Sequence, residues 1–371
     1  MSIFPDSYEQ SLSRFIQDSE RVRKMWPDSR LEKYSLVNFT DLSMDWLWLE
    51  PAKKENLVMI SMAEHGIEGY VGSAMLKLFM DDYLPRFNPE HTGLLLVHAI
   101  NPWGMKHHFR NNPNNVDLNR NFIHNGVFST EHNPHYDMVM KFINPDRRVV
   151  HLPLEALGYY VNVVRHMAYP GKKHLQAATL LGQHRHSAGV YFGGSEYQEE
   201  TVVLMNLYRT ALSQYQNFIQ LDMHTGYGPR YQMSFLIPSR DSISSTEASR
   251  KFNYPLVQKI DADEFYAING DMGEYVYQLR DAEFPDTNVF AGGFEFGTYG
   301  DTLSALIRSL QTTILENQLR HYGAINNTVE DEIRRLYEEL FFPAEQGWRE
   351  KALSDCRQAY DGVFQSFGLL Q

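Results

Sequence analysis

The chain has 371 residues, 43% of them hydrophobic, and its 34 lysines and arginines against 46 aspartates and glutamates leave a net charge of −12 with histidine neutral. A chain of this length buries roughly three quarters of the surface its unfolded form exposes, so its core needs no staple, and a single cysteine, Cys356, excludes an internal disulfide framework, a cysteine-rich structural zinc site and a Cys-x-x-Cys redox centre. The acidic balance, with no lysine and arginine block interleaved with aromatics, works against nucleic-acid binding.

In chain order, residues 1–7 lack the basic head and apolar run of a secretory signal, and no later run approaches the ~20 apolar residues of a membrane span, so a cytoplasmic protein is expected. From about residue 55 strands alternate with helices, the pattern of an α/β domain whose largely parallel sheet is covered on both faces. The apolar run 57–63 predicts the first strand. Beyond His65 to Gly69, apolar residues at Val71, Ala74, Met75, Leu78 and Phe79 predict a helix ended by Leu84-Pro85. Residues 94–100 predict a second strand, stopped by the turn signal Asn101-Pro102-Trp103-Gly104. The stretch from about 125 to 199 is rich in glycine, histidine and aromatics and carries no readable period; Met138, Met140 and Met167 within it are expected to fill core.

Leu204, Met205, Tyr208, Ala211, Leu212 and Tyr215 then line one face of a helix over 199–215. Strands follow at 218–223 and at Phe294-Glu295-Phe296, the latter short and near the sheet centre. The tail is helical in three stretches: Leu303 to Ile314, Ile333 to Leu340 with Thr328 and Asp331 as its predicted cap, and Trp348 to Tyr360. The arginine-mixed acidic face over 330–339 is expected to be solvated. No repeat, low-complexity run or linker interrupts the chain. One domain over 1–371 is expected, with its motifs within about 55–300 and its helical part over about 301–371.

Four groups of residues carry chemistry. His65-Gly66-Ile67-Glu68 lies just past a strand's carboxyl end, where open α/β sheets gather ligands. A neutral imidazole and a carboxylate at that spacing supply two of the three protein ligands of a catalytic zinc. His224, again directly after a buried strand, offers a third and leaves one position open; Asp222 shares its side of the strand as a structural acid or as a partner for the imidazole. Arg110 and the string Asn114 to Phe122 contain an arginine able to polarise a carbonyl and, at Asn119-Arg120, an amide and planar fork suited to a carboxylate. Glu295 is an acid in an apolar strand, costly to bury unless paired or beside a metal, and suited to general-base work.

The order His-x-x-Glu, Asn-Pro-x-Gly, Arg, Asp-x-Asn-Arg-Asn-aromatic, strand-end His and late-strand Glu resembles the zinc carboxypeptidases of the carboxypeptidase A superfamily. Glu64 to Gly69, Gly72-Ser73-Ala74, Val116 to Phe122, His224 to Gly228 and Phe294 to Thr298 look closer still to a bacterial branch of that superfamily known as a domain of unknown function. Gln183, Gly189, Phe192, Gly193 and Gly194 also look like that branch, and the resemblance spans about residues 55 to 300. It implies a mixed, mostly parallel twisted sheet flanked by helices on both faces, with a helical C-terminal tail. It also implies one Zn2+ per chain held by His65, Glu68 and His224, with Arg110 polarising the carbonyl, Asn119 and Arg120 clamping a substrate carboxylate and Glu295 as general base.

The activity implied is hydrolysis of a small peptide or N-acyl amino acid ending in a free carboxylate, a murein peptide being one narrower case. A deacylase of the succinylglutamate desuccinylase and aspartoacylase type shares part of this logic, but usually adds a C-terminal β domain where this tail reads helical. A non-catalytic zinc-containing protein that recognises carboxylates is the rival of another class, and Glu295 argues against it. For the mobile-loop tyrosine of the carboxypeptidases, Tyr254, Tyr266, Tyr275 and Tyr277 are all candidates, and the long segment between Phe122 and His224 is expected to fold over the cleft and narrow substrate choice. His107-His108 and His184-Arg185-His186 lack a matching carboxylate and are expected to be solvated rather than a second metal site.

Overall fold

Residues buried on both sides make the strands at the centre of this protein. In the computed structural model, which describes residues 2–260 and 269–370, the chain begins with α1 (Tyr8–Val22), β1 (Ser29–Leu36), β2 (Phe39–Leu49), β3 (Asn56–Met62), α2 (Gly69–Leu78), β4 (Thr92–His98) and α3 (Pro102–His107). The excursion holds α4 (Tyr136–Ile143), α5 (Leu152–His166) and α6 (Lys172–Leu180). Then come α7 (Glu199–Gln214), β5 (Asn217–Gly226), β6 (Met233–Ile237), α8 (Ser245–Lys251), β7 (Val257–Lys259), α9 (Met272–Glu283) and β8 (Asn288–Gly297). The tail is α10 (Leu303–Tyr322), α11 (Asn327–Phe341) and α12 (Gln346–Ser366).

Among the described residues, eight strands form one sheet in the order β1-β2-β4-β3-β5-β8-β6-β7. Its core, β4-β3-β5-β8, is parallel throughout, while β2 joins β4 and β6 joins β8 antiparallel. This is the mixed, mostly parallel, doubly covered sheet that the sequence implies. Alternation along the strands divides the core. Leu47, Val58, Ile60, Leu94, Leu96, Ile219 and Leu221 face α1, α2 and α12, whereas Trp46, Trp48, Leu57, Met59, Leu95, Val97 and Phe218 face α7 and α9. Each such side chain contributes ~1.5–3 kcal/mol when fully buried.

The structure adds to or departs from expectation in several places. Two strands, β1 and β2, precede residue 55, and the strand seen only at 294–296 runs over Asn288–Gly297. There, Gly292 leaves room for the Phe235 ring, which a Cβ would meet at 2.3 Å. The cap of α11 is Asn326, whose side chain accepts from the Val329 amide, so Thr328 lies inside the first turn. Met140 and Met167 pack against the cluster of Tyr136, Phe142 and Tyr159, but Met138 is 45% exposed and fills no core, because it lies on the outer face of a short two-turn helix.

The tail reaches back across the sheet. Trp348 of α12 donates its indole N–H to the Gly297 carbonyl at 2.7 Å, and Tyr360 and Phe364 fill the α2 side of the core. Where α12 crosses the loop after α8, Gly362 approaches so closely that a Cβ would stand 1.7 Å from the Phe252 carbonyl oxygen. Gly to Ala in a free helix adds up to about 1 kcal/mol of stability. Here Gly362→Ala is expected to remove about 1–3 kcal/mol by overpacking, read as a lower urea midpoint; an unchanged or raised midpoint would contradict this contact.

Candidate metal centre

The site forms where β3, β5 and β8 end together. After β3, Ala63 takes a positive φ of 60° and turns the chain off the sheet into a single 3-10 turn, Gly66–Glu68, which leads into α2. Residues three apart eclipse in a 3-10 turn, which sets the side chains of His65 and Glu68 on one side. Gly66 is required there, since a Cβ would meet the Gly104 carbonyl carbon at 2.2 Å. The turn is pinned by its amides, Gly66 N–H donating to Arg110 O at 3.1 Å and Ile67 N–H to Phe109 O at 2.9 Å, and this brings Arg110 alongside.

Parallel register does the rest. Ser61 stands opposite Asp222, and His224 opposite Glu295. His65, Glu68 and His224 converge, their ligand atoms all within 4.8 Å of one another. His65 Nδ1 lies 3.0 Å from Glu68 Oε1, and His224 Nδ1 lies 3.2 Å from Glu68 Oε2. The far nitrogens are held by other acids: His65 Nε2 meets Asp117 Oδ1 at 3.1 Å, and His224 Nε2 meets Asp222 Oδ2 at 2.5 Å. Carboxylates behind imidazoles fix ring orientation and raise ligand basicity in metal sites. His65 Nδ1 is buried without a hydrogen-bond partner, which is the state of a ligand atom awaiting a cation. The donor set fits zinc: two imidazole nitrogens and one carboxylate.

Charge is tightly balanced around this point. Glu68 also accepts from Thr225 N–H at 2.9 Å and from Arg110 Nη1 at 3.1 Å. Burial alone would raise its pKa, but His65 and His224 hold it well below the usual carboxylate range. Asp117 likewise is kept low against its burial by Arg110 and Arg120, and it takes both Arg110 Nε and Nη2, at 3.4 and 3.3 Å. Glu295 accepts from Tyr227 N–H at 2.9 Å; burial first, and the Glu68 charge second, push it up to about 7. A carboxylate at that value is suited to exchanging protons near neutrality.

Asn119 and Arg120 do not form one open fork. The Asn119 side-chain oxygen accepts from Met272 N–H at 2.9 Å, while Arg120 donates to the carbonyls of Asn119 at 2.8 Å and Leu180 at 3.0 Å, its buried Nε left without a partner. Tyr254 and Tyr277 are buried and hydrogen-bonded to Met233 O and Asp241, Tyr275 is buried beside Phe122, and Tyr266 lies outside the described residues. Three residues close to the centre went unassigned in the sequence. Asp117 acts across 52 positions on His65, Tyr337 of α11 is buried where Arg110 and Glu68 act on it, and Glu64 sits behind the turn. Asp117 and Glu64 carried only their places in the Asp-x-Asn-Arg and Glu64 to Gly69 strings, and Tyr337 carried no signal.

The histidine pairs elsewhere have other partners: His184 meets Gly194 O, His186 meets Asp137, His107 stacks on Trp103 and His108 meets Glu338. The tail helices close the site. Thr225 and Thr298, following His224 and Glu295, donate to the Phe341 and Leu340 carbonyls at the end of α11, at 2.7 and 2.6 Å. A cavity of about 490 Å³ lies elsewhere, against Phe142, Tyr159 and Ile314, and no centre residue lines it.

A family model described as "Protein of unknown function (DUF2817)" matches residues 4–355. No curated protein sequence matches the chain. Among solved structures, bovine thrombin-activatable fibrinolysis inhibitor in complex with tick carboxypeptidase inhibitor is similar at 17% identity and a TM-score of 0.47, over 88% of this chain and 99% of that one. Carboxypeptidase A from Helicoverpa armigera is similar at 13% identity and a TM-score of 0.46, over 91% of this chain and 75% of that one. A succinylglutamate desuccinylase from Silicibacter sp. TM1040 follows at 12% identity and a TM-score of 0.37, over 80% and 67%.

Asp117→Asn leaves the side-chain shape intact but removes the charge that orients His65. Zinc affinity, read by competition with a chromophoric chelator, is expected to fall about 10–100-fold; an unchanged affinity would mean that Asp117 does not orient the ligand.

Proposed function

The chain belongs to the DUF2817 family, and from the chemistry at its sheet edge we propose that it is a zinc-dependent amide hydrolase of the carboxypeptidase-like kind. The observation that carries this reading is the orientation of the two imidazoles, each backed by a carboxylate at Nε2 and presenting Nδ1 to Glu68. Three protein ligands with a fourth position open is the arrangement of a catalytic rather than a structural zinc. One zinc ion held by His65, Glu68 and His224 would polarise a carbonyl and make water acidic near neutral pH.

The chain's own groups supply the remaining steps. Glu295 takes the proton of the attacking water on its carboxylate and returns it to the leaving amine. Arg110, anchored by Asp117, offers its guanidinium to the carbonyl oxygen as negative charge develops. Arg120 recognises the substrate carboxylate, with its unpartnered Nε as the donor kept for it.

The burial of His65, Glu68 and Glu295 favours a small substrate, a short peptide or an N-acyl amino acid, over an extended chain. The segment 303–366 is helical and packs back on the sheet, as the carboxypeptidase resemblance implies. A carboxylate binder has no use for a buried acid paired in register with His224, so Glu295 favours turnover over recognition alone. No described helix is long and apolar enough to cross a membrane; cytoplasmic placement and a single domain over 1–371 belong to the same proposal.

Glu295→Gln keeps size and loses the base. Its kcat on a panel of peptides and N-acyl amino acids is expected to fall by about 10²–10⁴ with bound zinc unchanged by elemental analysis. A measurable rate equal to that of the unaltered protein would remove Glu295 from the mechanism.

A further inference from the structure

Behind the three ligands lies a second group of acids that the proposed hydrolysis does not use. Glu64 is 1% exposed, and neither of its oxygens has a hydrogen-bond partner. Asp222 is 4% exposed; its Oδ1 accepts from Ser61 Oγ at 2.5 Å, while its Oδ2 is paired with His224 Nε2 at 2.5 Å. His224 Nε2 is also 3.6 Å from Glu64 Oε2, and the ligand atoms of Glu64, Asp222 and His224 all lie within 4.8 Å of one another. A carboxylate stripped of water and of every donor is among the costliest groups a fold can hold. Such a group calls for an ion or a water that satisfies it.

Charge points the same way. Glu64, Glu68, Asp117, Asp222, Asp271 and Glu295 stand around the centre, Asp271 near enough to act on Glu64, against the guanidinium groups of Arg110 and Arg120.

We propose that Glu64, Asp222 and the Nε2 side of His224 form a second divalent-cation site, so that the His224 imidazole bridges it to the site at Nδ1. Two carboxylates and one imidazole suit a first-row ion such as zinc or manganese. Ligand atoms about 2.0–2.2 Å from a zinc ion stand farther apart than the 2.5 Å between His224 Nε2 and Asp222 Oδ2, so this contact opens as the ion enters. The Nε2 proton leaves to solvent in the same step. The second ion then orients His224 in place of that ion pair and supplies the charge that Glu64 lacks. This assignment shares His224 with the hydrolase reading but does not need turnover to be correct.

The test is a metal count. Full-length apo protein is dialysed against Zn2+, and zinc per chain is measured by elemental analysis for wild type, Glu64→Gln and His65→Ala, with folding checked by circular dichroism. Two ions in wild type and one in each variant are expected. One ion in wild type, lost in His65→Ala and kept in Glu64→Gln, overturns the second site and leaves the first intact. No ion in wild type overturns both, and two ions in Glu64→Gln remove Glu64 from the site. Should Glu64→Gln not fold, Co2+-loaded wild type decides: two ions sharing one imidazole couple magnetically, and a paramagnetic signal of uncoupled, single-site cobalt overturns the proposal.

Discussion

Burying several carboxylates at one end of one sheet is the constraint around which this protein is organised. Glu64, Glu68, Asp117 and Asp222 are each at most 4% exposed, and Glu295 only 9%. Water removed from a carboxylate must be replaced by donors or by opposite charge. Arg110 serves Glu68 and Asp117 together, the amides of Thr225 and Tyr227 serve Glu68 and Glu295, and Ser61 serves Asp222. What remains is negative. The cation proposed at the edge of β3, β5 and β8 would therefore act on the energetics of the fold as well as on its chemistry.

The sheet meets this constraint through register. Because β3, β5 and β8 run parallel, their carboxyl ends open at one level, and Ser61, Asp222, His224 and Glu295 are aligned by pairing alone. Everything else at the site is fixed by side chains reaching across sequence. Asp117 ties the His-x-x-Glu turn to the Asn-Arg turn, and Thr225 and Thr298 fasten α11 over both strand ends. The C-terminal helices thus act on the same two strands that carry His224 and Glu295, which is why the tail belongs to the working part of the molecule.

The parts legible in the sequence were those with a local cause. β3 and β4 read as strands because burial on both faces leaves a nearly continuous apolar run, and β5 because only Gln220 and Asp222 interrupt its apolar residues. His65, Glu68, His224 and Glu295 stood out because a polar residue at or past the end of such a run is conspicuous. β1 was hidden because Arg30, Glu32 and Lys33 interrupt its pattern at the exposed sheet edge, and β2 because Thr40, Asp41, Ser43 and Asp45 interrupt its apolar residues. The excursion was opaque for the opposite reason. In α5, Leu154, Leu157, Val161 and Val164 face outward, between 60 and 69% exposed, so its apolar spacing does not report a buried face. Glu64 stood in a resembling string but with no role, since whether a buried acid finds a donor depends on Asp222 and His224, more than 150 residues away. Asn119 and Arg120 were legible as a pair, but their separate engagement with Met272 and Leu180 depends on the distant segments 269–272 and 172–182.

The central claim is that two Nδ1 atoms and one carboxylate form a metal site, and anomalous diffraction at the zinc edge tests it most directly. Crystals of the protein grown with zinc should give a peak within bonding distance of His65 Nδ1, Glu68 and His224 Nδ1. A zinc-loaded crystal without that peak, with those three side chains still in contact, would contradict the account.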